Sequence, residues 1–341
     1  MKIKNDKTAL VTGAAGFIGY FVASNLLENG WRVIGLDCIS DYYDVKLKLF
    51  REKNLLKSKN YISIHKKVED KGVLHSIFKR EKPNVVIHLA AQAGVRYSLE
   101  NPRNYLESNV LGTFELLEAA KVFPPDHILI ASTSSVYGAN SELPYNEDQR
   151  TDHPLSFYAA TKKSTETMAH SYSHLFNLPV TIFRFFTVYG PLGRPDMAHF
   201  KFTDSVLKGT PIDVHNYGDM ERDFTYIDDL VNAIILLIKA IPEKISVIKK
   251  REWDNLSSVA PYRVINIGNS KPVKLIHFIE AIEKATGKKA KKNMVPIQPG
   301  EVQKTWASVT LLKELVGYSA KTDLETGVKF FVDWYREYYN R

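Results

Sequence analysis

The chain has 341 residues, of which 44% are hydrophobic and 25% charged, an ordinary composition for a globular protein. This length exceeds one ordinary core and predicts one large domain or two closely joined domains. No segment approaches ~18 uninterrupted apolar residues, and the basic start Met1 to Lys7 lacks the apolar core of a signal peptide, so no membrane association is expected. The single cysteine, Cys38, cannot form an internal disulfide, which favours a reducing, cytoplasmic location.

The net charge of +8 has three interpretations: binding to nucleic acid, binding of acidic small substrates, or plain solvation. Lysines and arginines are scattered, and the densest cluster, Lys288 to Lys292, is interrupted only by Ala290. Such a cluster is typical of a solvated turn at a helix end. Nucleic-acid binding is therefore not expected, and no metal site is predicted.

Strand-like and helix-like segments alternate along the first half of the chain. Strands are predicted at 8–12, 32–37, 62–65, 85–89, 128–132 and 180–185, and helices at 17–29, 44–57, 71–80, 103–121 and 156–176. This alternation predicts an α/β fold with a parallel, doubly wound, Rossmann-like sheet. Beyond Gly190 the pattern loosens, with helices predicted at 200–208, 273–286 and 324–339 and a polar loop at 249–263. We expect residues 1–188, with a strand–helix return near 224–240, to form the sheet domain, and residues 189–341 to form mainly a smaller α/β domain.

A glycine-rich loop follows the first predicted strand. Gly13, Gly16 and Gly19 are spaced G-x-x-G-x-x-G and open a helix, so that a tight turn, close approach to a pyrophosphate and helix–sheet packing are all allowed. The N-terminus of that helix suits a diphosphate. The second strand ends in Asp37, whose carboxylate would accept hydrogen bonds from an adenosine ribose and repel a 2′-phosphate. The loop therefore predicts NAD, rather than NADP, as the cofactor.

Tyr158 and Lys162 are four residues apart, on one face of a predicted helix. A phenol with a pKa of ~10 is a poor base at neutral pH, but a nearby ammonium favours the phenolate and lowers that pKa. The hydroxyl of Thr133, at the end of the fifth strand, would bridge Tyr158 and a substrate oxygen. Together these residues predict removal of an alcohol proton while a hydride leaves the same carbon for nicotinamide.

The chain resembles the extended short-chain dehydrogenases/reductases, specifically the nucleotide-sugar 4-epimerases. The likeness covers nearly the whole length, through the motifs T-G-A-A-G-F-I-G, H-L-A-A-Q-A-G-V-R-Y-S, S-T-S-S-V-Y-G, Y-A-A-T-K, G-R-P-D-M-A, R-D-F-T-Y-I-D-D and P-G-E-V-Q-K-T. The second and fifth of these most resemble UDP-glucuronate 4-epimerases. The resemblance implies that the smaller domain binds a UDP-sugar, and that helices near 103–121 and 156–176 pair two copies into a homodimer.

The resemblance also assigns roles residue by residue. It implies Thr133, Tyr158 and Lys162 as the catalytic set. It implies an NAD site lined by Gly13, Gly16, Phe17, Ile18, Gly19, Asp37, Leu89, Ala91, Asn109, Tyr158 and Lys162. Lys46 would reach the cofactor phosphates, or else be a solvated lysine at a helix start. The UDP-sugar would be surrounded by Gln92, Arg96, Ser134, Ser135, Thr187, Arg194, Arg222 and Glu301, the arginines suiting a diphosphate through bidentate bonds.

Two serines after Thr133 separate this chain from related enzymes. The related 4,6-dehydratases carry an Asp-Glu pair there, and loss of those carboxylates removes the acid and base of an elimination. Ser134 and Ser135, joined by Thr187, would instead bond a sugar C6 carboxylate without charge repulsion. The alternative is that both serines cap a helix start or satisfy loop backbone.

Two positions depart from the family pattern. An Asp that contacts adenine usually follows the third strand, whereas this chain has Lys67, which cannot accept that hydrogen bond, so Glu69 or Asp70 would serve. Near the C-terminus, Glu301 and Ser308 stand where Asp is common, at the contacts to uridine ribose.

The expected activity is reversible inversion at C4 of UDP-glucuronate to UDP-galacturonate through a 4-keto sugar. The nearest rival is a 4-epimerase of UDP-glucose or UDP-N-acetylglucosamine. A more distant rival is a secondary-alcohol oxidoreductase, against which the arginines at the UDP end argue. A dinucleotide-sensing binding protein is the remaining rival, and the intact Tyr158 and Lys162 argue against it.

Overall fold

The computed structural model describes residues 7–243, 253–298 and 302–341. Its strands, numbered in chain order, are β1 (Thr8–Thr12), β2 (Arg32–Asp37), β3 (Tyr61–His65), β4 (Val85–His88), β5 (His127–Thr133), β6 (Val180–Phe185), β7 (Thr187–Tyr189), β8 (Pro211–Val214), β9 (Glu221–Tyr226), β10 (Tyr262–Ile267), β11 (Pro272–Lys274) and β12 (Lys291–Met294).

The helices, also numbered in chain order, are α1 (Phe17–Glu28), α2 (Val45–Leu55), α3 (Val73–Glu81), α4 (Tyr97–Glu100), α5 (Pro102–Tyr105), α6 (Gly112–Val122), α7 (Phe157–Phe176), α8 (Ala198–Lys208), α9 (Ile227–Leu237), α10 (Leu275–Thr286), α11 (Thr310–Val316) and α12 (Leu324–Tyr339). None of the helices in these ranges combines the length and the apolar character that crossing a bilayer requires.

Seven parallel strands form the central sheet, in the order β10-β6-β5-β4-β1-β2-β3. Successive residues of β1 point to opposite faces, so that Ala9 and Val11 join one apolar cluster and Leu10 joins a second. The first cluster includes buried residues of α1, α9 and α12, and the second includes residues of α3, α6 and α7. The predicted doubly wound α/β fold is therefore confirmed.

The seventh strand was not predicted. Tyr262 and Arg263 fall in the stretch expected to be a loop, yet they begin β10 at the sheet edge beside β6. Arg263 is buried there and pairs with Asp254 through Nε to Oδ1 at 2.9 Å and Nη2 to Oδ2 at 2.8 Å. A buried strand is normally predicted from a continuous run of apolar residues. In β10 this run is interrupted by Arg263, which forms a buried ion pair, and by the buried amide of Asn266. The loop predicted over 249–263 is thus wrong from Tyr262 onward, and 249–252 lie outside the described residues.

A second difference lies in the helix predicted over 103–121. The chain there is α5, then a π-helical segment at Leu106–Leu111, then α6. Such π segments are rare in proteins, and those that occur are often found at functional sites. The segment near 224–240 folds as β9 and α9, and α9 packs on α1, but β9 lies in a small separate sheet and not in the central one. Whether this segment belongs to the sheet domain stays a prediction. The division of the chain at residue 188 stays a prediction.

The remaining strands form two small sheets, β11-β9-β7 and β12-β8. The basic cluster at Lys288 to Lys292 lies beside the second of these. It surrounds the buried Glu283, which accepts bonds from Lys289 Nζ at 2.7 Å, Lys292 Nζ at 2.8 Å and the Ala290 amide at 3.0 Å. These bonds hold the pKa of Glu283 down at about 2, even against its burial. The cluster is a local ion-pair network.

Candidate active site

A cavity of about 460 Å³ opens at the carboxyl ends of the central strands, where ligands bind in such sheets. It is lined by the ends of β1, β2, β4, β5 and β6 and by the start of α7. Sixteen of the residues predicted from sequence line it: Gly13, Gly16, Phe17, Ile18, Gly19, Asp37, Leu89, Ala91, Gln92, Thr133, Ser134, Ser135, Tyr158, Lys162, Thr187 and Arg194.

The glycine-rich loop forms one wall of the cavity. Gly13 has φ +72°, and its amide donates to Leu36 O at 2.7 Å, which ties the loop to β2. A Cβ added at Gly19 would lie 2.7 Å from the carbonyl carbon of Gly13 and 3.0 Å from Ala14 Cα. The loop and α1 are therefore as close as backbone allows, and only glycine fits. This cradle suits a pyrophosphate at the helix N-terminus.

Asp37 braces the same loop. Its Oδ2 accepts from the Ala15 amide at 3.0 Å, and its Oδ1 accepts from the Ile39 amide at 2.8 Å. Each carboxylate oxygen retains a second lone pair, so the group can also accept from a ribose hydroxyl. The acidic side chain thus holds this wall in place, and its role in binding a ribose stays a prediction.

The cation beside the loop is Lys48, which sequence reasoning missed. Lys46, the predicted residue, is exposed and does not line the cavity. Lys48 is buried in the cavity wall, and its Nζ donates to Ser40 O at 2.7 Å and to Ser40 Oγ at 2.8 Å. Two residues along a helix turn the side chain by about 200°, so the two lysines face opposite ways. On the adenine side, Lys66 and Glu69 line the cavity, whereas Lys67 and Asp70 do not.

Thr133, Tyr158 and Lys162 converge inside the cavity. The Ser156 hydroxyl accepts from the Ala159 amide at 3.1 Å and caps α7, so Tyr158 lies in the first turn and Lys162 one turn further. Burial raises the pKa of Tyr158, while a hydrogen bond with Thr133 and the charge of Arg194 lower it. Burial also lowers the pKa of Lys162 to about 8, against the carboxylate of Glu166.

The pKa of Tyr158 is shifted in the direction opposite to the one predicted. The Tyr–Lys spacing predicts a lowered phenol pKa, but burial of the phenol outweighs the hydrogen bond with Thr133 and the charge of Arg194. In the protein alone Tyr158 is therefore a neutral phenol near pH 7.

Ser134 and Ser135 lie in the cavity wall directly after Thr133. The helical turn that begins here is capped by Thr133, whose Oγ1 accepts from the Ser135 amide at 3.2 Å. Thr133 also donates to Ser135 Oγ at 3.2 Å. Because Thr133 supplies the cap, the two serine hydroxyls are not needed for it, and both serines line the cavity together with Thr187.

Besides Lys46, three described residues of the predicted site are not among those lining the cavity: Asn109, Arg96 and Arg222. Asn109 lies behind it in the π segment, where its amide bonds Gln92 N at 2.8 Å, Gln92 O at 3.1 Å and Thr161 Oγ1 at 3.0 Å. Arg96 Nη2 lies 2.7 Å from His215 Nδ1. Arg222 donates to Gln303 O at 3.0 Å. Glu301 lies outside the described residues.

Asn109 thus ties the backbone of Gln92 to Thr161 on α7. Its role in the NAD site stays a prediction.

A glycine-rich first loop on a parallel sheet, with Thr, Tyr and Lys in one cavity, defines the class of NAD-dependent short-chain dehydrogenases/reductases. The sequence model of the family described as GDP-mannose 4,6 dehydratase matches residues 10–331, and the chain belongs to that family. Its serines after Thr133 replace the Asp-Glu pair expected of dehydratases within it.

Proteins similar to this chain include UDP-sugar 4-epimerases. A probable UDP-glucuronate 4-epimerase of Rhizobium meliloti is 50% identical over 333 residues, covering 97% of this chain and 98% of the relative. The crystal structure of UDP-glucuronic acid 4-epimerase from Bacillus cereus, in complex with UDP-glucuronic acid and NAD, has a TM-score of 0.87 and 34% identity, covering 97% of this chain and all of that one. UDP-glucose 4-epimerase of Thermotoga maritima, with UDP-glucose, has a TM-score of 0.84 and 29% identity over 97% of this chain and 99% of its own.

Proposed function

We propose that the chain is an NAD-dependent UDP-glucuronate 4-epimerase, which interconverts UDP-glucuronate and UDP-galacturonate. The observation that carries the substrate is the pair Ser134 and Ser135 in the cavity wall beside Thr133. An Asp-Glu pair at these positions would repel a uronate carboxylate, whereas two hydroxyls donate hydrogen bonds to it.

The residues present fit NAD. Gly13 and Gly19 leave a backbone cradle that a Cβ would fill, and Asp37 stands at the end of β2 with lone pairs available to a ribose. Lys48, which lines the cavity and donates to the neutral oxygens of Ser40, would face the diphosphate in place of Lys46. NAD, when bound, would supply a reversible acceptor for the C4 hydride and a positive charge that favours the phenolate of Tyr158.

The chain's own groups handle the proton and the sugar. Thr133 bonds both Tyr158 and the sugar 4-oxygen, and Tyr158 takes the 4-hydroxyl proton and later returns it. Lys162, one turn along α7, stabilises the phenolate. Arg194 holds the diphosphate while the 4-keto sugar turns, which requires a firm grip at the UDP end and a looser one at the sugar.

A substrate panel tests the assignment. We expect kcat/KM for UDP-glucuronate to exceed that for UDP-glucose and UDP-N-acetylglucosamine by about 100-fold, because hydroxyl groups form stronger hydrogen bonds with a carboxylate than with the neutral C6 hydroxyl of those sugars. Equal or reversed preference would replace the proposed substrate with one of the uncharged sugars.

We further propose a cytoplasmic homodimer that supplies galacturonate units for a surface polysaccharide. Exposed apolar side chains on the π segment, α6 and α7 support pairing of copies through these helices: Leu106, Leu111, Phe114, Phe157 and Phe176. Light scattering tests this, with about twice the 38.8 kDa chain mass expected. A monomer at micromolar concentration would overturn it.

A further inference from the structure

Arg51 on α2 is a buried cation with an unusual set of partners. Its side chain is fully buried, and its two terminal nitrogens donate only to neutral oxygens. Within the described ranges no carboxylate pairs with it, and its Nε has no hydrogen-bond partner. A buried charge is costly unless its bonds are well placed, so these contacts are the reason the residue is tolerated.

The acceptors belong to the glycine-rich loop, to Tyr43 before α2 and to the loop that precedes Arg194. Nη1 donates to Ala15 O at 3.0 Å, in the glycine-rich loop, and to Tyr43 Oη at 2.8 Å. Nη2 donates to Leu192 O at 2.6 Å and to Gly193 O at 3.2 Å. One planar guanidinium thus joins the NAD side of the cavity to the loop that precedes Arg194.

The loop around Arg194 needs such an anchor. Leu192, a branched residue, has φ +56°, a left-handed conformation that persists only when its surroundings hold it. Beyond it, Arg194 Nε donates to Asp196 Oδ1 at 3.0 Å, and Tyr42 Oη donates to Asp196 Oδ2 at 3.4 Å. The orientation of Arg194 in the cavity therefore depends on the backbone that Arg51 fixes.

We propose that Arg51 is a positioning residue that couples NAD binding at the glycine-rich loop to the grip of Arg194 on the UDP-sugar. The inference rests on the proposed function for the identity of the two ligands. Because the same guanidinium holds both loops, a ligand that orders one loop stabilises the other, and the coupling is reciprocal. Arg51 touches neither ligand and acts through Ala15 and Gly193.

The test measures NAD exchange. Protein loaded with labelled NAD is chased with excess unlabelled NAD, with and without saturating UDP, in the wild type and in Arg51→Lys. UDP should slow NAD exchange in the wild type by about fivefold or more, the range of ordinary couplings between sites. In Arg51→Lys, which keeps the charge but loses the planar fork, UDP should have no effect, and KM for the UDP-sugar should rise about tenfold with kcat changed much less.

Arg263→Lys is the matched control, because Arg263 is also a buried arginine but pairs with Asp254 at the sheet edge, away from the cavity. It should retain the full effect of UDP. An undiminished UDP effect in Arg51→Lys, or its absence in the wild type, would overturn the proposal.

If Arg51→Lys does not fold, Tyr43→Phe removes one acceptor of the guanidinium and should weaken the UDP effect; an unchanged effect there also overturns the proposal. The exchange experiment uses UDP, which all the candidate substrates share. If the wild type failed to convert UDP-glucuronate, the proposed function would be overturned, but the exchange experiment would still decide whether Arg51 couples the two loops.

Discussion

Replacement of Gly19 by Ala should selectively impair NAD binding. The new Cβ would meet backbone on both sides, at 2.7 Å from the carbonyl carbon of Gly13 and 3.0 Å from Ala14 Cα, with the Gly13 oxygen closer still. Backbone cannot rotate out of the way as a side chain can, so α1 and the loop must separate by about 1 Å. A displacement of that size in a binding site costs about 100-fold. We therefore expect the Kd for NAD to rise about 100-fold.

The assay is NAD content of the purified protein, followed by activity during titration with added NAD. Gly30→Ala is the control: its Cβ meets nothing within 4 Å, and its φ of +78° costs about 1 kcal/mol of stability without touching the cavity. It should keep wild-type NAD affinity. Wild-type affinity in Gly19→Ala, or equal loss in both variants, would refute the close-approach argument.

Three further predictions concern charge. Because burial lowers the pKa of Lys162 to about 8, its ammonium is lost as pH rises past that value, and kcat/KM should fall on the alkaline side. Glu166→Gln removes the charge that raises this pKa, so the alkaline limb of the pH profile should move to lower pH; an unmoved limb would exclude Lys162 as its source. Ser134→Asp should raise KM for UDP-glucuronate at least about tenfold through repulsion, with little change for UDP-glucose, and equal changes for both would contradict the carboxylate role. Burial raises the pKa of Glu147 from 4.5 to about 7, so the folded protein binds a proton that the unfolded chain releases, and stability falls as pH rises through this window. Glu147→Gln should therefore stabilise the fold by about 1–2 kcal/mol at pH 8 and not at pH 4, measured by denaturant unfolding; a loss of stability at pH 8 would contradict it.

Most of the correct predictions of the fold and the candidate site came from local sequence patterns. The glycine spacing, the acid at the end of β2 and the Tyr–Lys pair on α7 each depend on residues within one turn or one strand–helix unit, where sequence spacing determines geometry. The carboxyl ends of parallel strands meet at one edge, so the segments after each strand converge in one cavity.

Long-range contacts account for the rest. From the sequence, Arg51 is expected to be an ordinary arginine on a helix surface. The residues next to it in the chain do not indicate that the carbonyl of Leu192, 141 positions away, accepts its hydrogen bond. Lys46 and Lys48 are indistinguishable without the direction in which α2 faces the sheet. The strand β10 was missed because Arg263 and Asn266 are satisfied by partners that only the fold brings near.

The pKa of Tyr158 also depends on contacts between residues far apart in the sequence. Spacing on a helix predicted a cation close enough to lower it, but the extent of burial depends on the whole cavity. Burial is a property of the tertiary structure, and here it reverses the predicted direction.

The most direct measurement incubates the purified protein with UDP-glucuronate, without added NAD, and identifies the products by chromatography and NMR of the sugar. The expected product is UDP-galacturonate, with the six sugar carbons retained and no external oxidant consumed. No conversion of UDP-glucuronate, together with epimerisation of UDP-glucose or UDP-N-acetylglucosamine in the same assay, would contradict the assignment of Ser134, Ser135 and Thr187 to a substrate carboxylate.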